Sequence, residues 1–159
     1  MFWMSSCVYF NTFYNAKISF KNAKKIINSM DYREDSIPSQ AKTLLDEAIL
    51  NSKLVIDKYP NSRLLEDAYY IVSVSMFLKE DYKGAKKNLQ NLIDLFPNKD
   101  MILEAYLWLA YCELRLDNLG ESNSILEKQI RGKKISKSEN YLFNNIYAEI
   151  LLLEGNIIE

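Results

Sequence analysis

Histidine is absent from the 159 residues, which removes the commonest general base and the commonest transition-metal ligand. Cysteine is almost absent. Cys7 and Cys112 stand 105 positions apart, with no CxxC or zinc-ligand spacing. The four glycines, Gly84, Gly120, Gly132 and Gly155, fall outside any phosphate-cradling loop, and no GxSxG occurs. Charge of one sign is missing as well. Lys and Arg total 20 against 21 Asp and Glu, so no large basic face is required and nucleic acid is a poor expectation. The local run from Arg131 to Lys137 is basic, and a solvated loop accounts for it. No metal or cofactor is expected. Chemistry would have to rest on carboxylates alone, and no Asp/Glu pair stands out from ordinary helix-surface charge. A non-enzymatic protein is the expectation.

Apolar residues make up 48% of the chain and charged residues 26%, enough for a packed core and against global disorder. The chain also repeats itself. Tyr59-Pro60-Asn61 returns 37 residues later as Phe96-Pro97-Asn98, and Ala68-Tyr69 as Ala105-Tyr106. Ala48, Ala85 and Ser122 form a third series at that step, and Ile56, Ile93 and Ile130 a fourth. Four series sharing one period mark a repeat architecture.

Each period reads as two helices. Residues 64–78 carry Leu65, Tyr69, Val72 and Met76 at helical spacing, without internal Pro or Gly. Lys79-Glu80-Asp81 breaks the pattern, with Asp81 placed to cap the next helix. That helix runs over 82–96 until Pro97 stops it. The next pair is predicted at 101–116 and 119–130. Small residues recur on the first helices (Ser73, Ala110, Ala148) and on the second (Ala48, Ala85, Ser122), where they would let antiparallel helices approach closely. The stripe Phe13, Ala16, Phe20, Ala23, Ile27 predicts an amphipathic helix over 12–30. Residues 31–40, with Pro38, read as an insertion. Ser136-Lys137-Ser138-Glu139 is a capping box opening a helix to about Glu154. The segment 141–153 is too short and too polar to span a bilayer. That last helix would need a partner on its apolar face, which suggests a fragment or a second chain.

Paired helices with Ala in the second and Pro at its end resemble tetratricopeptide repeats. Glu66-Asp67-Ala68-Tyr69-Tyr70, Asp81-Tyr82-Lys83-Gly84-Ala85 and Phe96-Pro97-Asn98 carry the resemblance best. The fold expected is an all-α, tetratricopeptide-like solenoid of antiparallel helix pairs, about three and a half repeats. The units fall at about 12–61, 62–98, 99–135 and an incomplete 136–159. The longer step, with Tyr-Pro-Asn-Ser and Phe-Pro-Asn after the second helices, is similar to the BamD-like outer-membrane assembly lipoproteins. Ser73 and Ala110 stand where the tetratricopeptide consensus favours Gly.

The resemblance implies a protein- or peptide-binding scaffold, without catalytic residues. By repeat register its groove would include Asp67, Tyr70, Val74 and Phe77 in one unit, and Glu104, Leu107, Tyr111 and Leu114 in the next. The same residues could instead pack against neighbouring helices. Trp108 reads as an anchor between repeats and Cys112 as a small buried hydrophobe. Met4-Ser5-Ser6-Cys7 resembles the end of a lipoprotein signal. Cys7 is then the lipidation site, residues 1–4 the tail of a truncated signal and 8–11 a tether. The implied location is the bacterial envelope, on the outer membrane facing the periplasm, with outer-membrane assembly components as partners. The alternatives are a cytoplasmic adaptor without lipid, or the repeat segment of a larger enzyme.

Overall fold

The computed structural model describes the backbone of residues 3–30, 36–98 and 100–156, and the side chains of 10–30, 36–98 and 100–155. Its described residues form seven α-helices and no strand: α1 (Trp3–Asn28), α2 (Ser39–Lys58), α3 (Leu65–Leu78), α4 (Tyr82–Leu95), α5 (Ile102–Arg115), α6 (Leu119–Ile125) and α7 (Lys137–Asn156). A π-helical turn, Leu126–Ile130, closes α6. This is the all-α, paired-helix architecture expected of a tetratricopeptide-like solenoid. The chain divides into two compact units, Met1–Asn88 and Leu89–Glu159.

In the first unit, α1 packs on α2, α2 on α3, and α1 reaches α3. The core holds Phe13, Ala48, Val55, Ala68 and Ile71, with Phe20, Ile56, Leu64 and Tyr70 packed around it. Ala48 and Ala85 are fully buried, and a methyl there lets neighbouring backbones approach closely. Phe77 meets Tyr82 edge-on at 5.2 Å, which pins the start of α4 to the end of α3.

In the second unit, α5 packs on α6, on its π turn and on α7. Ala105, Leu107, Ala110 and Cys112 are completely buried, so Cys112 is the small hydrophobe its position suggests. The π turn is closed by Arg131 N–H donating to Leu126 C=O at 2.9 Å. It coincides with a shift in apolar pattern. Gln129 stands one repeat after the buried Leu92, and burial passes instead from Leu126 to Ile130.

Helix boundaries follow local chemistry closely. The turns after α3 and α5 are two copies of one motif, 37 residues apart. Glu80 and Asp117 take φ of 66° and 63°. Asp81 N–H donates to Met76 C=O, and Glu80 N–H to Phe77 C=O; Asn118 and Asp117 do the same to Glu113 and Leu114. This is the Schellman arrangement, built here without glycine. Asp81 then caps α4, its Oδ1 accepting from Gly84 N–H at 2.9 Å. The capping box forms as well: Ser136 N–H donates to Glu139 Oε2 at 2.5 Å, and Glu139 N–H to Ser136 Oγ at 3.3 Å.

Two expectations are corrected. The first helix opens at Trp3 rather than Thr12, so residues 8–11 are helical and form no tether. No proline or glycine occurs before Pro38, so nothing in the chain halts helix propagation there. Ala148 is exposed, unlike Ser73 and Ala110. It shares the solvent side of α7 with Tyr141, Leu151 and Leu152, each more than half exposed. Of the insertion, residues 31–35 lie outside those described.

Candidate interaction surfaces

The groove residues separate by burial. Val74 and Leu107 are fully buried, and Phe77 and Leu114 keep 8% and 3% of their surface. These four belong to the core and present nothing to a ligand. Five consecutive residues of α3, Ile71 to Ser75, are buried, because a helix packed on several sides loses its solvent stripe. Asp67, Tyr70, Glu104 and Tyr111 remain partly accessible.

In the first unit, α1 lies against the accessible pair. Lys17 Nζ stands 3.8 Å from Asp67 Oδ2, both side chains well exposed, so this pair contributes about 0–1 kcal/mol. Tyr70 meets Phe20 edge-on, ring centroids 6.2 Å apart, an arrangement worth about 0.5–1.5 kcal/mol beyond area burial. Tyr70 therefore spends one edge on α1 and offers only its remainder to a partner.

In the second unit, α7 takes the corresponding role. The Tyr111 hydroxyl donates to the Glu149 carboxylate, and Arg115 Nη1 lies 3.5 Å from the other oxygen of that carboxylate. Tyr111 also stacks on Trp108, one turn earlier, at 6.3 Å and 22°. Glu104 sits half-buried in the first turn of α5, where a carboxylate is favoured by the helix dipole.

Residues 67–99 match the tetratricopeptide repeat family model. The matched stretch takes in α3 from Asp67, the Schellman turn, capped α4 and the Phe96-Pro97-Asn98 stop. This repeat thus covers the segment whose sequence signals are strongest. No curated protein matches the chain. Tetratricopeptide repeats generally mediate contacts between proteins, and residues 67–99 are similar to one, set in an all-α scaffold of a kind that is typically non-catalytic.

Three other features bear on binding. Among the described residues, no group of three His, Cys, Asp or Glu side chains could hold a metal ion, and no helix is long and apolar enough to cross a membrane. The basic run is a solvent-exposed loop at 131–134, where Arg131 Nη1 lies 2.5 Å from Glu127 Oε2. That hydrogen bond and the carboxylate's charge hold the Arg131 guanidinium pKa above its ordinary value. The Cys7 backbone is part of α1, and its side chain lies outside those described.

A surface that the groove reading overlooked lies on α1. Phe10, Tyr14 and Ile18 are 48%, 62% and 40% exposed; Lys21 and Lys25 continue the same strip and are exposed. Lys17 and Lys24 flank it, their ammonium groups 5.6 and 5.5 Å from the Phe13 and Phe20 ring centres. An open recess of about 530 Å³ lies among Phe20, Lys21, Lys24, Lys25, Asn28 and Ser29. The signal was available in the sequence: residues 1–30 contain four lysines and no acidic residue.

Proposed function

We propose that this chain is a non-catalytic protein-binding scaffold of the bacterial cell envelope, held at the periplasmic face of the outer membrane by acylation of Cys7. Its partners, on this reading, are components of outer-membrane β-barrel assembly. The tetratricopeptide match over residues 67–99 carries the scaffold part. A repeat of helix pairs presents a series of similar ridges, suited to gripping an extended or helical segment of another protein. The envelope part is supported by Met4-Ser5-Ser6-Cys7 and by the 37-residue step with its Tyr-Pro-Asn-Ser and Phe-Pro-Asn turns.

After the buried positions are removed, the partner-facing candidates are Asp67 and Tyr70 on α3 and Glu104 and Tyr111 on α5. Each carboxylate, Asp67 in the first unit and Glu104 in the second, favours a basic or amide-rich segment; Tyr70 adds an amphipathic ring, while the Tyr111 hydroxyl is already engaged by Glu149.

Metabolic labelling with a fatty-acid probe tests the anchor, using the gene with its native upstream region beside Cys7→Ser. Label on the parent chain and none on the variant is expected. Equal label on both, or none on either, overturns acylation. Site-specific photocrosslinkers at positions 67 and 104 test the scaffold surface, with protein adducts expected from both.

A further inference from the structure

The two sides of α1 do different work. Phe13, Ala16 and Ala23 are at or below 5% exposure, and Ser19 at 7%. Ser19 Oγ donates to Glu47 Oε2 at 3.0 Å, so this side is committed to α2 and the core. Tyr14, Ile18, Lys21 and Lys25 follow at steps of four, three and four, which keeps them on one line along the helix. An aromatic ring and a branched alkyl group therefore precede two ammonium groups on a single exposed strip.

Lysine in a last turn offsets the helix dipole, and Lys25 occupies that turn. The dipole does not account for Lys17 or Lys21, which lie earlier. Nor does net charge, since the whole chain stands at −1. Four positive charges on one helix, set against a net negative remainder, give the molecule a charge asymmetry that an anionic surface would orient.

We infer that the solvent strip of α1 docks on an anionic phospholipid surface. Lys21 and Lys25 meet headgroup phosphates, with Lys17 and Lys24 alongside, while Tyr14 and Ile18 enter the boundary between headgroups and acyl chains. A helix with an aromatic and aliphatic patch, a lysine-rich remainder and too little apolar length to span is of the kind that lies in the interface plane. A flat lipid surface also asks for no concave complement, and the strip is borne by one helix. An acidic protein would satisfy the lysines but would leave the alignment of Tyr14 and Ile18 with them without a purpose. This inference rests on α1 alone and needs neither acylation of Cys7 nor a protein partner.

Vesicle co-sedimentation of the full chain carrying Cys7→Ser tests it, because no acyl group can then contribute. Vesicles of phosphatidylcholine alone are compared with equimolar phosphatidylcholine and phosphatidylglycerol. Binding is expected to the anionic vesicles only, and it should weaken as salt is raised. Each surface lysine removed should weaken it roughly 5-fold, so Lys21→Glu with Lys25→Glu should cost about 25-fold or more. Tyr14→Ser with Ile18→Ser should weaken it several-fold. All four side chains are exposed, and unchanged circular dichroism confirms the fold. Lys133→Glu with Lys134→Glu, in the other exposed basic segment, should bind as the parent does. The inference is overturned by equal binding to neutral vesicles, or by no binding to anionic ones. Equal losses from the α1 and loop variants would also sink it. Polyglutamate capture without vesicle binding would reassign the strip to an acidic protein and likewise overturn it. Any of these results leaves the labelling and crosslinking tests of the anchored scaffold untouched.

Discussion

The turn after α3 and the turn after α5 share a backbone and divide over side chains. Both close with a left-handed residue, at Glu80 and Asp117, and both make the same pair of backbone hydrogen bonds. In the first, Asp81 turns forward and caps α4. In the second, Asn118 turns back, its Nδ2 donating to Glu113 Oε2 at 3.0 Å, and α6 starts without a side-chain cap. The cause lies five residues upstream. Position 76 is Met and position 113 is Glu, and Glu113 keeps only 3% of its surface exposed. A buried carboxylate needs a donor more than a helix needs a cap. Asn supplies that donor, and Asp could not. The residue five positions upstream thus differs along with the capping residue: Met76 before Asp81, Glu113 before Asn118.

The most forceful way to break this comparison is to import the first turn's residue into the second. Asn118→Asp places a second carboxylate beside the buried Glu113 and removes the hydrogen bond that Glu113 accepts from Asn118 Nδ2, a loss of about 1.5–3 kcal/mol. Chemical denaturation should show it. Adding Glu113→Gln should restore most of the loss, since the amide can donate to the new carboxylate. Failure of that rescue would mean the two positions are independent.

That pairing was invisible in the sequence, although much around it was legible. Asp81 as a cap, Pro97 as a stop and Ser136–Glu139 as a box could be read, because each acts within a few residues. The small-residue series at Ala48, Ala85 and Ser122 is legible as a line of close helix approach, and all three are buried. The groove was harder. Register alone leaves Val74, Phe77, Leu107 and Leu114 either on an open face or packed against neighbouring helices; α3 and α5 bury them, and a 3.6-residue period cannot say how many neighbours a helix has. The strip on α1 was missed for the opposite reason. Phe13, Phe20 and Ala23 mark its buried side by their spacing, whereas Tyr14, Ile18 and the lysines form no apolar period that would mark the other.

A smaller effect sharpens the first turn. Asp81→Ala removes the cap of α4 and should cost about 1 kcal/mol. A Cβ on Gly84 would collide with Asp81 Oδ2, so Gly84→Ala in the parent must displace that carboxylate. Once Asp81 is alanine the obstruction is gone, and Gly84→Ala should then stabilise by roughly 1 kcal/mol through helix propensity. A thermal-melt cycle over the four proteins reads the coupling. Additive effects would contradict the capping geometry.

The smallest expected effect concerns the left-handed residues. Glycine adopts this conformation without a Cβ penalty, so Glu80→Gly should stabilise by about 0.5–1 kcal/mol after its greater unfolded-state entropy is counted. Asp117→Gly should gain less, because Asp tolerates that region better than Glu. Equal gains in melting temperature would show that the two turns are strained alike.

The unbroken course of α1 from Trp3 changes what an attachment at its start would mean. Position 7 lies six positions before Phe13, the first core residue of the helix among those described, and at the helical rise that is about 9 Å. A disordered leash of that length would let the body tumble through many headings, sampling partners from all of them. A helical stalk of the same length behaves as a short lever instead. It would transmit direction along with position, so that whatever grips one end also sets the bearing of the first repeat.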